Sequence, residues 1–198
     1  MHAEQPEPLD GRLARSERTR LAIVDALRAL HHDGDLRPTA PRVAERAGVS
    51  VRTVWQHFED LETLLVAAGQ RDVEIARSFV TPIDPSLPLA DRVALLVDQR
   101  ARMFEAMAPP WRAARLHEPF SAQIRTNRDV LIQLARLQLA EIFAAELAAA
   151  PDAQVLLDAL LVASSWAAWE SLRSDLGLDV GAARQALSLW LSKLSSSL

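Results

Sequence analysis

The sequence predicts an all-α protein of about nine helices, and three observations carry that prediction. Apolar side chains recur at three- and four-residue spacing along most of the 198 residues, as on one buried face of a helix. No segment shows the period-two alternation of a half-buried strand. Helix breakers separate the periodic stretches: Pro82, Pro85 and Pro88, the pair Pro109-Pro110, then Pro119, Pro151 and Gly177.

The tail from Met1 to Asp10 contains Glu and Pro but neither a basic start nor an apolar run, so no secretory signal is expected. A first helix is predicted over Arg18 to His31, where Ile23, Leu27 and Leu30 share a face with Ala22 and Ala26 alongside. Asp33-Gly34-Asp35 supplies a turn, and Thr39 stands as the N-cap of a short helix that runs to Ala47 with Pro41 and Arg42 in its first turn. Gly48 can take the left-handed conformation that ends a helix, and Ser50 can cap the next one, Val51 to His57. After Phe58-Glu59, Asp60 caps a longer helix marked by Leu61, Leu64, Leu65 and Ala68 and continuing to about Val80. The prolines at 82, 85 and 88 end it and mark an internal boundary. Further helices are predicted over Leu89 to Ala108, Trp111 to His117, Ala122 to Ala149, Asp152 to Leu176 and Val180 to about Leu194. There is no internal repeat, and Ser195-Ser196-Ser197 is the single low-complexity stretch.

Composition excludes several classes. No run approaches the roughly 20 apolar residues of a membrane-spanning helix, and the expectation is a soluble, cytoplasmic protein. Without cysteine there are no disulfides, no thiolate metal sites and no thiol nucleophile. The sequence shows no Gly-rich phosphate loop, no Gly-x-Ser-x-Gly elbow and no His-Glu-x-x-His; His31 and His32 are adjacent, so on a helix they point apart. Catalytic residues, metals and cofactors are therefore not expected. Arginine supplies all the basic residues but Lys193, a bias ordinary where coding DNA is rich in GC. Charge is unevenly placed: Gly11 to Phe58 holds nine Arg against five acids, a balance of +4, which leaves −8 on the rest of a chain whose total is −4. A positive N-terminal third on an acidic body suits a partner that is a polyanion.

Two short helices joined at Ala47-Gly48-Val49-Ser50 have the length and turn chemistry of a helix-turn-helix, whose second helix enters the major groove of DNA. The same turn also makes ordinary helical corners, so the second helix decides. Arg52, Thr53, Gln56 and His57 leave it little apolar surface beyond Val54 and the following Phe58. Arginine pairs with guanine O6 and N7, glutamine with adenine N6 and N7, and the threonine methyl touches that of thymine. Trp55 can pack in the core, donate its indole N–H to a phosphate, or do both, and His57 can donate in the same way. Arg12, Arg15, Arg18 and Arg20 are placed to reach backbone or minor groove, or to form a solvated face. The candidate DNA contacts are Arg18, Thr39, Arg42, Ser50, Val51, Arg52, Thr53, Trp55, Gln56 and His57.

The stretch from Arg18-Thr19-Arg20 through Val43-Ala44-Glu45-Arg46-Ala47-Gly48-Val49-Ser50-Val51-Arg52-Thr53-Val54-Trp55-Gln56-His57-Phe58 to Glu62-Thr63-Leu64-Leu65 resembles the DNA-binding domain of the tetracycline-repressor (TetR) family. The resemblance implies a nine-helix subunit in which three helices bind DNA, a fourth connects, and the rest form a ligand and dimer domain. It places the DNA-binding part in residues 1–60 and the connecting helix with the ligand and dimerisation part in 61–198. It further implies a homodimeric repressor on a palindromic operator, released by a small, largely apolar molecule. Two positions depart from the family pattern: Trp55 replaces the usual tyrosine, and Leu61 stands where a lysine often meets phosphate.

In the C-terminal part, Leu89, Val93, Leu96, Arg100, Met103 and Met107 form one helical stripe that an arginine interrupts. A buried charge must be paired or line a cavity. Candidate ligand contacts are Arg100, Met103, Phe104, Met107, Trp111, Arg115, Gln138, Trp166 and Trp169, with His117, Ser164 and Ser165 as further polar anchors; the competing reading is plain core. Leu156, Leu160 and Ala163, with Leu187, Trp190, Leu191 and Leu194, are candidates for a dimer face, where Ala163, Ser164, Ala167 and Ala168 permit close approach. Trp166 to Leu178 also resembles the C-terminal domains of TetR-like regulators. The rival to an effector-controlled repressor is a helix-turn-helix regulator or architectural protein without a small-molecule effector.

Overall fold

The computed structural model describes residues 8–196; the tail before Pro8 and the end of the serine run lie outside the described residues. Ten α-helices follow one another: α1 Pro8–His32, α2 Ala40–Ala47, α3 Val51–His57, α4 Leu61–Ser78, α5 Leu89–His117, α6 Ala122–Ile142, α7 Ala144–Ala149, α8 Ala153–Ala163, α9 Trp166–Glu170 and α10 Val180–Ser196. Among the described residues there is no strand, as the periodicity predicts.

Four elements differ from the sequence reading, each for a local reason. Helix α1 starts at Pro8 rather than near Arg18. Residues 11–18 are exposed, so no apolar face betrays them, but Leu13, Ala14, Arg15, Glu17 and Arg18 are good helix formers. Helix α5 runs through Pro109 and Pro110, where a break was expected. Proline removes two amide donors there, yet buried Met107 and Ala108 before the pair and Ala113 after it keep the chain helical through packing. The predicted helix over 122–149 is divided at Phe143, whose backbone leaves helical geometry at φ −107°, ψ 26°. Arg92 causes the break: its Nη1 donates to the Ile142 carbonyl, an acceptor a helix would otherwise use itself. The predicted helix over 152–176 is three pieces, α8, α9 and a π-helical turn at Ser171–Asp175. Ser164 and Ser165, offered above as ligand anchors, make the first break: Ser164 Oγ bonds back to the Leu160 carbonyl at 2.7 Å, and Ser165 Oγ caps α9 by accepting from Ala168 N at 3.2 Å.

The chain divides into two compact units, one of residues 1–72 with 109–124, the other of 73–108 with 125–198. In the first, Ile23, Val24, Leu27 and Leu30 of α1 pack with Val43 and Ala44 of α2, Val54 and Phe58 at α3, and Leu64, Ala67 and Ala68 of α4. Arg28 Nε donates to Asp72 Oδ1 at 2.7 Å and ties α1 to α4. In the second, α8 lies beside α10, and Val93, Leu96, Leu139, Leu160, Leu187 and Leu191 are among the buried side chains. No single helix of the described residues is long and apolar enough to cross a membrane.

His31 supplies a pH test of the first unit. It is buried at the end of α1, and neither ring nitrogen has a hydrogen-bond partner. Desolvation, then the neighbouring His117, His32 and Arg28, lower its pKa to about 4 against a weaker opposing effect of Asp35. The folded state thus holds a neutral imidazole that the unfolded chain protonates below about pH 6.5. Stability from His31 is complete above that pH, is lost as pH falls towards 4, and levels off below. Relative to His31→Leu, the wild type should lose about 3 kcal/mol of stability between pH 7 and pH 4. Urea unfolding at both pH values measures this; a constant difference between the proteins would refute it.

Candidate nucleic-acid interface

The turn between α2 and α3 depends on one glycine. Gly48 sits at φ 67°, ψ 31°, the left-handed region, and its N–H turns back to the Glu45 carbonyl at 3.1 Å while Val49 N reaches the Ala44 carbonyl at 3.0 Å. Ser50 then caps α3 as its sequence predicts, its Oγ accepting from Thr53 N at 3.0 Å and meeting Thr53 Oγ1 at 2.8 Å. Asp60 caps α4 in the same manner, with Thr63 N at 2.7 Å and Thr63 Oγ1 at 2.8 Å. These two bonds hold the Asp60 carboxyl below the usual range.

Thr39 departs from expectation. It occupies the N-cap of α2, but its hydroxyl accepts no capping bond; its backbone carbonyl alone takes Val43 N at 3.0 Å. A cap hydroxyl bonds the amides two or three residues on, and Pro41 removes one of those donors. The hydroxyl is left at an exposed position.

Helix α3 turns Val54 inward and is closed by buried Phe58, whose N–H bonds the Val54 carbonyl at 3.0 Å. Its other side presents Val51, Arg52, Trp55 and Gln56, all exposed, with Thr53 and His57 half-buried at the edges. Trp55 is 42% exposed, so it is not a core residue and part of its ring is open to a partner. The arginines differ in what engages them. Arg42 faces Asp35 at 2.5 Å, Arg46 pairs with Asp33, and Arg20 lies over the Phe58 ring at 5.1 Å rather than outward as its sequence position suggested. Arg18 is exposed, with Nε on the Ala14 carbonyl of its own helix at 3.3 Å. Arg52 is exposed and, among the described residues, has no ion pair and no hydrogen bond.

The other candidates are distributed as follows. Arg100, Met103, Phe104, Met107 and Trp169 are buried and Gln138 and Trp166 half-buried, all in the second unit. Trp111, half-buried, and Arg115, exposed, belong to the first unit, so the structure does not assemble them with Arg100 into one compact unit. Trp169 is committed to the core: its indole N–H donates to Glu105 Oε1 at 2.8 Å and its ring meets Phe104 at 6.1 Å. The proposed dimer face needs correction in the same sense. Leu156, Leu160, Leu187 and Leu191 are buried within the single subunit and Ala163 and Leu194 half-buried, because α8 and α10 use those positions against their own chain. Trp190 alone of that set is exposed; the apolar residues that face outward are Val155 and Val162 of α8 and Leu189 and Trp190 of α10. Sequence periodicity marks an apolar stripe but not which of two stripes faces the chain's own core, so Val155, Val162 and Leu189 were missed. Gln99, the partner of Gln138, was missed as well, since nothing in its neighbourhood distinguishes it from a solvated glutamine.

No family model and no curated protein matches the chain. Solved structures do. A transcriptional regulator from Rhodococcus sp. RHA1 superimposes with a TM-score of 0.68 at 19% identity, covering 90% of this chain and 95% of that one. A TetR transcription regulator from Haloarcula marismortui gives 0.67 at 21% identity, over 89% and 97%. A TetR-like transcriptional regulator from Rhodococcus sp. RHA1 gives 0.59 at 17% identity, over 88% and 94%. The chain has the fold of these regulators, an N-terminal helix-turn-helix followed by a helical body.

Proposed function

We propose that this chain is a TetR-type transcriptional regulator that binds DNA in a sequence-specific manner, acting as a cytoplasmic homodimer on a palindromic operator. The carrying observation is the outer face of α3, where Arg52, Trp55 and Gln56 stand exposed directly after a helix-turn-helix glycine and Arg52 has no partner among the described residues. A helix with so polar and unengaged a face in a positive segment is suited to base edges and phosphates. In this reading residues 1–60 hold the DNA-binding part, and 61–198 the connecting helix and the ligand and dimer part. Thr39, Arg42, Ser50, Val51, Thr53, Trp55 and His57 serve register on the phosphates and fit, with Arg18 reaching the flanking backbone. Exposed Val155, Val162, Leu189 and Trp190 form the dimer contact. The protein acts as a repressor, and a small, largely apolar effector releases it by favouring the dimer state whose reading helices no longer match successive grooves.

The test is base readout. Arg52→Ala and Gln56→Ala should each cost about 1–3 kcal/mol on the selected operator and relax preference at one symmetry-related pair of positions. His57→Ala should weaken binding to all duplexes alike. Titration of operator and random duplexes at fixed salt distinguishes these; equal losses on both for Arg52→Ala and Gln56→Ala would remove α3 from base reading.

A further inference from the structure

Helix α5 carries two buried arginines that the second unit treats in opposite ways. Arg92 is neutralised: Nη1 and Nη2 lie 2.9 and 2.6 Å from the two Glu146 carboxylate oxygens, and Nε donates to the Leu87 carbonyl at 2.9 Å. That ion pair raises the Arg92 pKa and lowers that of Glu146. Arg100 is 3% exposed, and among the described residues its single partner is the neutral amide of Gln138, whose Oε1 accepts from Nη2 at 2.9 Å. Its Nε is buried without an acceptor. The carboxylates of α5 on either side are engaged elsewhere, Asp98 with Arg102 and Arg184 and Glu105 with Trp169 and Arg173. Desolvation, opposed by no acid, lowers the Arg100 pKa to about 10.

The amides around Arg100 do not offset its charge. Gln138 Nε2 donates to Gln99 Oε1 at 2.9 Å, and Gln99 Nε2 donates to the Thr81 carbonyl and hydroxyl at 2.6 and 2.7 Å. Both amides direct their donors away from the guanidinium, so among the described residues the lone pair of Gln138 is the sole acceptance Arg100 receives. An isolated buried cation is among the most costly groups in a protein interior.

We infer that Arg100 is the anchor for the anionic head of the effector, and that the effector is a small amphipathic monocarboxylate. The inference rests on the effector reading above and names its ligand class. A carboxylate oxygen accepting from Nε–H would satisfy the orphan donor and neutralise the charge in one charge-assisted contact. One cation matches one negative charge; a phosphate monoester, at about −1.5 to −2, would leave surplus charge buried. Leu96, Met103 and Met107, on the same stripe as Arg100, are the buried apolar neighbours an amphipathic ligand would need, and methionine adapts its shape readily.

The test uses the full chain without DNA and two pairs of probes that differ only in their head, octanoate against octanol and phenylbutyrate against phenylbutanol. Calorimetry and thermal melting should show each carboxylate bound roughly tenfold to hundredfold more tightly than its alcohol. Arg100→Met should abolish that preference and, by removing the unpaired charge, melt higher than wild type when ligand-free. Arg100→Gln, which keeps a polar head of similar reach, should lose the preference too and serves if Arg100→Met does not fold. Equal binding within each pair, no binding by any probe, or a preference that survives both substitutions would overturn the inference. Operator affinity measured alongside separates the two readings: carboxylate binding that leaves operator affinity unchanged supports the anchor and refutes the effector role, whereas intact operator binding with no carboxylate binding refutes the anchor alone.

Discussion

Val162→Glu combined with Trp190→Glu will leave the protein monomeric and reduce its affinity for a two-half-site operator by about 10²–10⁴-fold, the factor that linking two binding modules supplies. Val155 and Val162 are 63% and 69% exposed on α8, and Leu189 and Trp190 are 57% and 38% exposed on α10. A second copy would cover this apolar surface, and a carboxylate placed there would be desolvated without a partner. Because the side chains are exposed in the subunit, the variant should keep its helical content as a monomer, with its melting temperature lowered only by the contribution of dimerisation. Leu187→Glu is a different experiment: Leu187 is 2% exposed, so that charge enters the core and unfolds the second unit. Sedimentation with fluorescence anisotropy on an operator duplex makes the measurement. A Val162→Glu/Trp190→Glu protein that is still dimeric would remove this face from the assembly.

Phe58→Ala is the second large effect, an expected loss of about 3–5 kcal/mol. Phe58 closes α3, lies 2% exposed in the core of the first unit and carries Arg20 over its ring, so its loss leaves a cavity where α3 is fixed against α1 and α4. Trp55→Ala, on the outer face of the same helix, should change stability by no more than about 0.5 kcal/mol while weakening DNA binding. Urea denaturation of both variants, with operator titration, separates the two roles. Equal destabilisation by the two would mean that α3 does not present Trp55 outward.

The N-terminal part of this fold was legible because its signals are local and agree with one another. Gly48, Ser50 and Asp60 each dictate a backbone conformation or a cap within three residues, and the helices they delimit fall where those residues put them. Thr39 takes the N-cap position it was assigned but makes no side-chain bond, since Pro41, in the same turn, removes one of the donors it could have used. The C-terminal part was less legible because its deciding contacts are distant in sequence. Arg92 breaks the helix at Phe143 from about fifty residues away, and the packing on either side of Pro109-Pro110 overrides the rule that prolines end helices. The Ser164-Ser165 break was available to the capping rules and went unread, since the residues around it invited a binding role. For the site, polarity on α3 identified the reading face. Burial was needed to see that Trp55 faces out, that Leu156 and Leu187 face in, and that Arg100, unlike Arg92, has no acid.

The claim that α3 reads DNA is tested most directly by selecting duplexes from a randomised pool with the purified protein and repeating the selection with Arg52→Ala and Gln56→Ala. A palindromic sequence, with half-sites about one helical turn apart or a multiple of it, should be enriched by the wild type. Each variant should relax one symmetrical pair of positions within it. No enrichment over the starting pool, or the same sequence from wild type and both variants, would contradict the account.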